Sequence, residues 1–99
     1  MKTGSVCAVY IMTNERHTVL YTGVTSDLAR RVGQHRAKAN PTSLTARYNA
    51  TTLLFFEITS DILGAIAREK QIKAASRRKK IELISQVNLQ WRHLSADWE

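Results

Sequence analysis

Two apolar segments joined by a short polar stretch constrain most strongly what this chain can fold into. Residues 6–12 (Val-Cys-Ala-Val-Tyr-Ile-Met) are rich in β-branched and aromatic side chains and read as a buried strand. Residues 13–17 (Thr-Asn-Glu-Arg-His) read as a polar turn, and residues 18–24 as the returning strand of an antiparallel hairpin. Side chains alternate faces along a strand. Val6, Ala8, Tyr10 and Met12 should therefore share one face, and Val19, Tyr21 and Gly23 one face of the partner. The hairpin brings two phenols together.

Helical signals follow. Ser26 or Asp27 is a good N-cap for a helix from Leu28 to about Lys38, closed by Pro41. Residues 42–48 suit a short second helix, and residues 53–58 (Leu-Leu-Phe-Phe-Glu-Ile) a third strand. Ser60-Asp61 caps a helix over 62–75, and a last helix is expected over 77–86. Trp91, Leu94 and Trp98 have the spacing of a stripe that docks on a core. His17 and His93 have no partners at metal-ligand spacing and read as surface residues, so structural zinc is not expected. The order predicts a small α+β (or α/β) domain with a three-stranded sheet, and 99 residues suit one domain. The lone cysteine, Cys7, falls in a predicted strand and reads as a buried small hydrophobe.

Charge narrows the partner. The formal charge is +7 and the isoelectric point near 10.1. Residues 1–60 carry seven Lys and Arg and residues 61–99 carry eight, so the whole domain is basic rather than a neutral domain with a basic tail. Such an excess favours a polyanionic partner, either nucleic acid or an anionic membrane surface, and nucleic acid is the partner expected here. No apolar stretch approaches the ~18 residues of a membrane span, and a soluble cytoplasmic protein without a membrane role is expected.

The residues able to do chemistry fall on two helices. At ~100° per residue, Asp27, Arg31, His35 and Lys38 lie within an arc of roughly 80°, beside an apolar stripe of Leu28 and Val32. On the later helix Ile62, Ala65, Ile66 and Ile72 span about 120°, with Glu69 near the middle and Lys73 close by. A carboxylate on a core-facing stripe is costly unless it is paired, hydrogen-bonded or bound to a metal. A Glu69–Lys73 or Glu69–Arg31 ion pair and a divalent cation are both open at this point. Together these groups suit phosphodiester hydrolysis. A cation on one carboxylate polarises the phosphate, and Mg²⁺ suits a site with a single carboxylate because it keeps several waters. Arginine offsets developing charge. A tyrosine whose pKa is lowered by nearby cations takes the proton of the attacking water. Arg77-Arg78-Lys79-Lys80 would add to Lys73 as contacts for backbone phosphates, and Arg47 and Tyr48 lie where they could reach nucleic acid.

Val9-Tyr10-Ile11, Tyr21-Thr22-Gly23, Asp27-Leu28 with Arg31 and His35, and Arg68-Glu69-Lys70-Gln71-Ile72-Lys73 resemble the GIY-YIG nuclease superfamily, above all its small stand-alone bacterial members. The likeness runs from about Ser5 to Trp91. It implies a three-stranded antiparallel sheet flanked by helices and a metal-dependent DNA endonuclease using a single Mg²⁺ or Mn²⁺. By the resemblance, Tyr10 and Tyr21 are the motif tyrosines, one of them the general base. Arg31 is the catalytic arginine, His35 the active-site histidine, Glu69 the metal-binding glutamate, Gly23 the motif glycine and Asn88 the late asparagine. The first motif reads Ala8-Val9-Tyr10 instead of Gly-Ile-Tyr, and Thr22 takes the central place of the second. Val24-Thr25-Ser26 replaces a lysine found in some members. A bare catalytic module implies recognition of DNA structure or weak sequence preference, in DNA repair or recombination. A non-catalytic nucleic-acid-binding protein and a nuclease acting on RNA are the alternatives.

Overall fold

The computed structural model describes residues 7–37 and 49–95, except the Arg36 side chain. The expected second helix over 42–48, and with it Lys38, Pro41, Arg47, Tyr48 and Trp98, lies outside the described residues.

The hairpin forms as expected from its apolar, β-branched segments, shifted slightly along the chain. Strand β1 is Ala8–Thr13 and β2 is Leu20–Thr25, antiparallel, with Tyr10 opposite Gly23 and Met12 opposite Tyr21. Strand β3, Thr52–Ile58, pairs antiparallel with the other side of β1, giving the order β2-β1-β3. Helix α1 is Leu28–Ala37, α2 is Ile62–Ala74 and α3 is Arg77–Val87. Each starts at a side-chain cap of the expected kind. Asp27 Oδ1 accepts from Arg30 N–H (3.3 Å), Asp61 Oδ1 from Gly64 N–H (2.7 Å) and Ser76 Oγ from Lys79 N–H (3.1 Å).

The central strand is buried on both faces and sorts its side chains by period two. Ala8, Tyr10 and Met12 pack in front with Leu28 and Val32 of α1. Val9 and Ile11 pack behind with Ile72 of α2 and Ile84 of α3. The fold is thus a three-stranded antiparallel sheet between one helix and a helix pair, an α+β arrangement. Ile62, expected within the apolar stripe of α2, lies at its rim and is exposed.

Strand β3 departs from simple alternation. Ile11 pairs with Phe55 and Met12 with Leu53, so Leu54 is the extra residue of a bulge. The tail beyond α3 closes this edge. Leu53 N–H donates to His93 Nδ1 (3.1 Å), Leu94 N–H donates to the Leu53 carbonyl (2.9 Å), and Asn88 Nδ2 donates to the Leu54 carbonyl (3.0 Å). The amide of Asn88 also donates to the Arg92 carbonyl and accepts from Arg92 N–H. Both halves of a carboxamide are used, which aspartate could not reproduce.

The tail corrects two expectations. Trp91 sits at φ 57° in the left-handed region, so the chain there is not helical and Trp91 and Leu94 do not share one face. Trp91 packs on the cluster behind the sheet and Leu94 on the one in front. His93 and His17 are not bare surface residues either. His93 terminates the β3 edge, while the His17 ring meets the Trp91 ring at 5.0 Å and its carbonyl accepts from Arg77 Nη2 (3.1 Å).

Thr22 faces the back of the sheet, opposite Ile11, as alternation requires. Among the described residues its Oγ1 is the buried side-chain polar atom without a hydrogen-bond partner. A desolvated, unpaired hydroxyl is unfavourable, and valine has the same shape without it. Thr22→Val is therefore expected to stabilise the protein by about 1–2 kcal/mol in urea unfolding; an equal or lower stability would show that the hydroxyl is satisfied.

Candidate active site

The site grows from the pairing of Tyr10 with Gly23. A Cβ at position 23 would lie 2.4 Å from the Tyr10 hydroxyl oxygen and 2.5 Å from Cζ, closer than atoms can approach. Position 23 must be bare for the ring of Tyr10 to cross from β1 over the edge strand β2. There the phenol meets α1. Its hydroxyl lies 2.9 Å from His35 Nε2, and the Arg31 guanidinium is near enough to act on the phenol's pKa. Arg31 and His35 stand one helical turn apart and so point the same way. The Tyr21 ring completes the cluster, 6.4 Å from Tyr10 and 5.8 Å from His35 between centroids.

Burial decides the electrostatics. Desolvation, reinforced by Tyr21, pushes the Tyr10 phenol up to about 12, against the lowering effect of Arg31. This corrects the expectation that cations lower it: one guanidinium does not offset the loss of water around a fully buried ring. His35 is held below its ordinary value, first by burial and then by Arg31. Both groups are neutral near pH 7. Arginine can only donate, and with the His35 proton on Nδ1 the phenol donates its own proton to Nε2.

Glu69 belongs to α2, yet it is near enough for its charge to raise the Tyr10 pKa. Its carboxylate is 15% exposed and Oε2 lies 2.9 Å from Lys73 Nζ. Of the two ion pairs open from the sequence, Glu69–Lys73 is the one formed. No group of three or more His, Cys, Asp or Glu suited to a metal occurs among the described residues. Near the cluster, Glu69 is the carboxylate whose charge reaches Tyr10. It fits a hard, water-rich cation such as Mg²⁺ or Mn²⁺ and does not fit zinc.

Tyr10, Tyr21, Arg31 and His35 thus come together over Gly23, with Glu69 and Lys73 beside them. Other residues are placed elsewhere. Asn88, the C-cap of α3, bonds the Leu54 carbonyl on β3, across the sheet from β2, and holds the bulge and the tail. Arg77 is tied to the hairpin turn, and Arg78 pairs with Glu82 (3.6 Å). With Lys79 and Lys80 they begin α3, whose packing residue Ile84 lies behind the sheet, away from the face Tyr10 occupies. Sequence reasoning missed Arg30 and Gln34. They line a polar pocket of about 180 Å³ with Thr25, Ser26, Asp27 and Arg31. Their i,i+4 spacing on the first helix was the available signal.

The strands and helices that carry this cluster match a known family of domains. The GIY-YIG catalytic-domain model matches residues 6–82, and the chain belongs to this family of nuclease domains. Within it, the chain is similar to small UPF0213 proteins. It is 33% identical over 78 residues to one from Syntrophus aciditrophicus, covering 79% of this chain and 88% of the relative. It is 32% identical over 81 residues to one from Serratia liquefaciens, covering 82% and 78%. The solution structure of the UPF0213 protein of Bacillus halodurans superposes with a TM-score of 0.57 at 26% identity, over 93% of this chain and 97% of that one. No helix among the described residues is long and apolar enough to cross a membrane.

The lowered pKa of His35 has a consequence for stability. Between the ordinary histidine range and its lower folded value, the unfolded chain binds a proton that the folded protein refuses. Stability contributed at this position is present above about pH 6.5 and is lost as pH falls below it. Urea unfolding at pH 7.5 and 5.5 should show a smaller acid loss for His35→Gln than for the wild type. Equal losses would mean that His35 titrates normally.

Proposed function

We propose that the protein is a metal-dependent endonuclease that hydrolyses phosphodiester bonds in DNA. We read it as structure-selective or weakly sequence-specific, and as acting in DNA repair or recombination in the cytoplasm. The observation that carries this reading is the Tyr10 hydroxyl hydrogen-bonded to His35 Nε2, within the electrostatic reach of Arg31 and Glu69.

The chemistry follows from the protonation states. With a pKa of about 12, roughly one Tyr10 in 10⁵ is ionised at pH 7, too few for a preformed phenolate base. The phenol acts instead as a relay. As the attacking water loses its proton to the phenol oxygen, the phenol proton passes to His35 Nε2. The hydroxide so formed bonds to phosphorus, the bond to the leaving oxygen breaks, and that oxygen takes a proton from water. His35 can accept because it is neutral. Arg31 stabilises charge on the phosphoryl oxygens, and Tyr21 restricts the ring and the path of the water. Glu69 would hold the cation, exchanging its ion pair with Lys73 for it. When bound, the ion polarises the phosphate and offsets charge on the leaving oxygen. Lys73, with Arg78, Lys79 and Lys80, contributes positive charge toward the polyanion, while Arg77 serves the hairpin turn.

Nicking of supercoiled and branched DNA with Mg²⁺ or Mn²⁺ tests the reading, with matched RNA in parallel. Tyr10→Phe, Arg31→Ala and Glu69→Ala should each lose 100-fold or more, roughly the size of a lost acid–base or charge-stabilising group. The wild-type kcat/KM should hold through about pH 6.5, the ordinary histidine value, and fall only at lower pH, where the depressed His35 takes a proton. Equal background cleavage by wild type and Glu69→Ala would leave a non-catalytic binding protein, and cleavage confined to RNA would change the substrate.

A further inference from the structure

The pocket beside Arg31 has a use that the catalytic cluster does not supply. It is lined by Thr25, Ser26, Asp27, Arg30, Arg31 and Gln34, and so sets two guanidinium groups against one carboxylate. Arg31 borders this pocket and also acts on the phenol of Tyr10, so it lies between the two.

The backbone at the start of α1 is not what would bind. Arg30 N–H is taken by Asp27 Oδ1 and Arg31 N–H by the Asp27 carbonyl (3.0 Å). The Thr25 hydroxyl is also committed, accepting from Asp27 N–H and donating to the Asp27 carbonyl. The remaining donors are side chains: the Arg30 guanidinium, the Gln34 amide and the Ser26 hydroxyl. Asp27, with an oxygen on the helix amide, opposes an anion only in part. A small polar concavity with an excess of guanidinium and neutral donors suits a phosphate group.

We propose that this pocket seats the backbone phosphate adjacent to the scissile one, through Arg30 and Gln34. The assignment rests on the nuclease reading above. Arg31 then stands between two phosphates of one strand, and the pocket fixes the register in which that strand crosses Tyr10. Without it, affinity would rest on dispersed surface charge and the strand could slide past the phenol.

The test uses full-length protein and a labelled DNA oligonucleotide whose cleavage position has been mapped with the wild type. A neutral methylphosphonate replaces, one at a time, the phosphate on either side of the cut. Kd is measured by fluorescence anisotropy without divalent cation, alongside cleavage. For the wild type, one of the two replacements should raise Kd roughly tenfold, the effect of losing a charge-assisted contact. Arg30→Ala should raise Kd by a similar factor and abolish the response to that replacement. It should also reduce the slope of log Kd against log salt by about one phosphate's worth. Gln34→Ala should weaken binding less, without changing the salt slope. If Arg30→Ala binds like the wild type and responds equally to both replacements, the pocket is not a phosphate site although the enzyme cuts. If the wild type cuts no DNA, the nuclease reading fails and this subsite with it.

Discussion

The absence of a side chain at position 23 is the constraint on which the rest of the site depends. Tyr10 lies on the central strand, where a ring would ordinarily stay inside the core. Because Gly23 offers no Cβ, the ring extends over β2 and places its hydroxyl against α1. The sheet edge is where groups from both layers can meet. Arg31 and His35 come from the helix in front, and Glu69 acts from the helix pair behind.

That placement sets the chemistry. A phenol carried across the sheet while still buried loses its hydration, and the nearby guanidinium does not offset the loss. The same burial keeps His35 uncharged. The pair is therefore neutral and joined by one hydrogen bond, with neither member ionised near pH 7. The opposite edge is built for rigidity. Asn88, His93 and Leu94 engage the backbone of Leu53 and Leu54, so β3 presents no open edge at the bulge.

Much of this was legible in the residues. Period-two patterning gave the hairpin and its faces, N-caps gave the helix starts, and the helical wheel isolated Glu69. Three features were not legible, each for a physical reason. Leu53-Leu54-Phe55-Phe56 is uniformly apolar, so no change of alternation marks the bulge at Leu54. Trp91 adopts φ 57° because partners hold it there, among them Ser85 and the His17 ring, and no local propensity announces this. Arg77 reads as one of four equivalent cations, yet it finds a carbonyl 60 positions away in the turn. The sign of the Tyr10 shift was misjudged for a related reason: sequence shows the neighbouring charges but not the depth of burial against which they compete.

The most direct test of the account is a single added methyl group. Gly23→Ala should remain folded, with the ring of Tyr10 displaced from β2. NMR titration of His35 should then show its midpoint rising toward the ordinary value of about 6.5, and DNA nicking should fall to the level of Tyr10→Phe. A folded Gly23→Ala protein that keeps both the depressed His35 midpoint and wild-type cleavage would contradict the claim that this glycine positions the phenol.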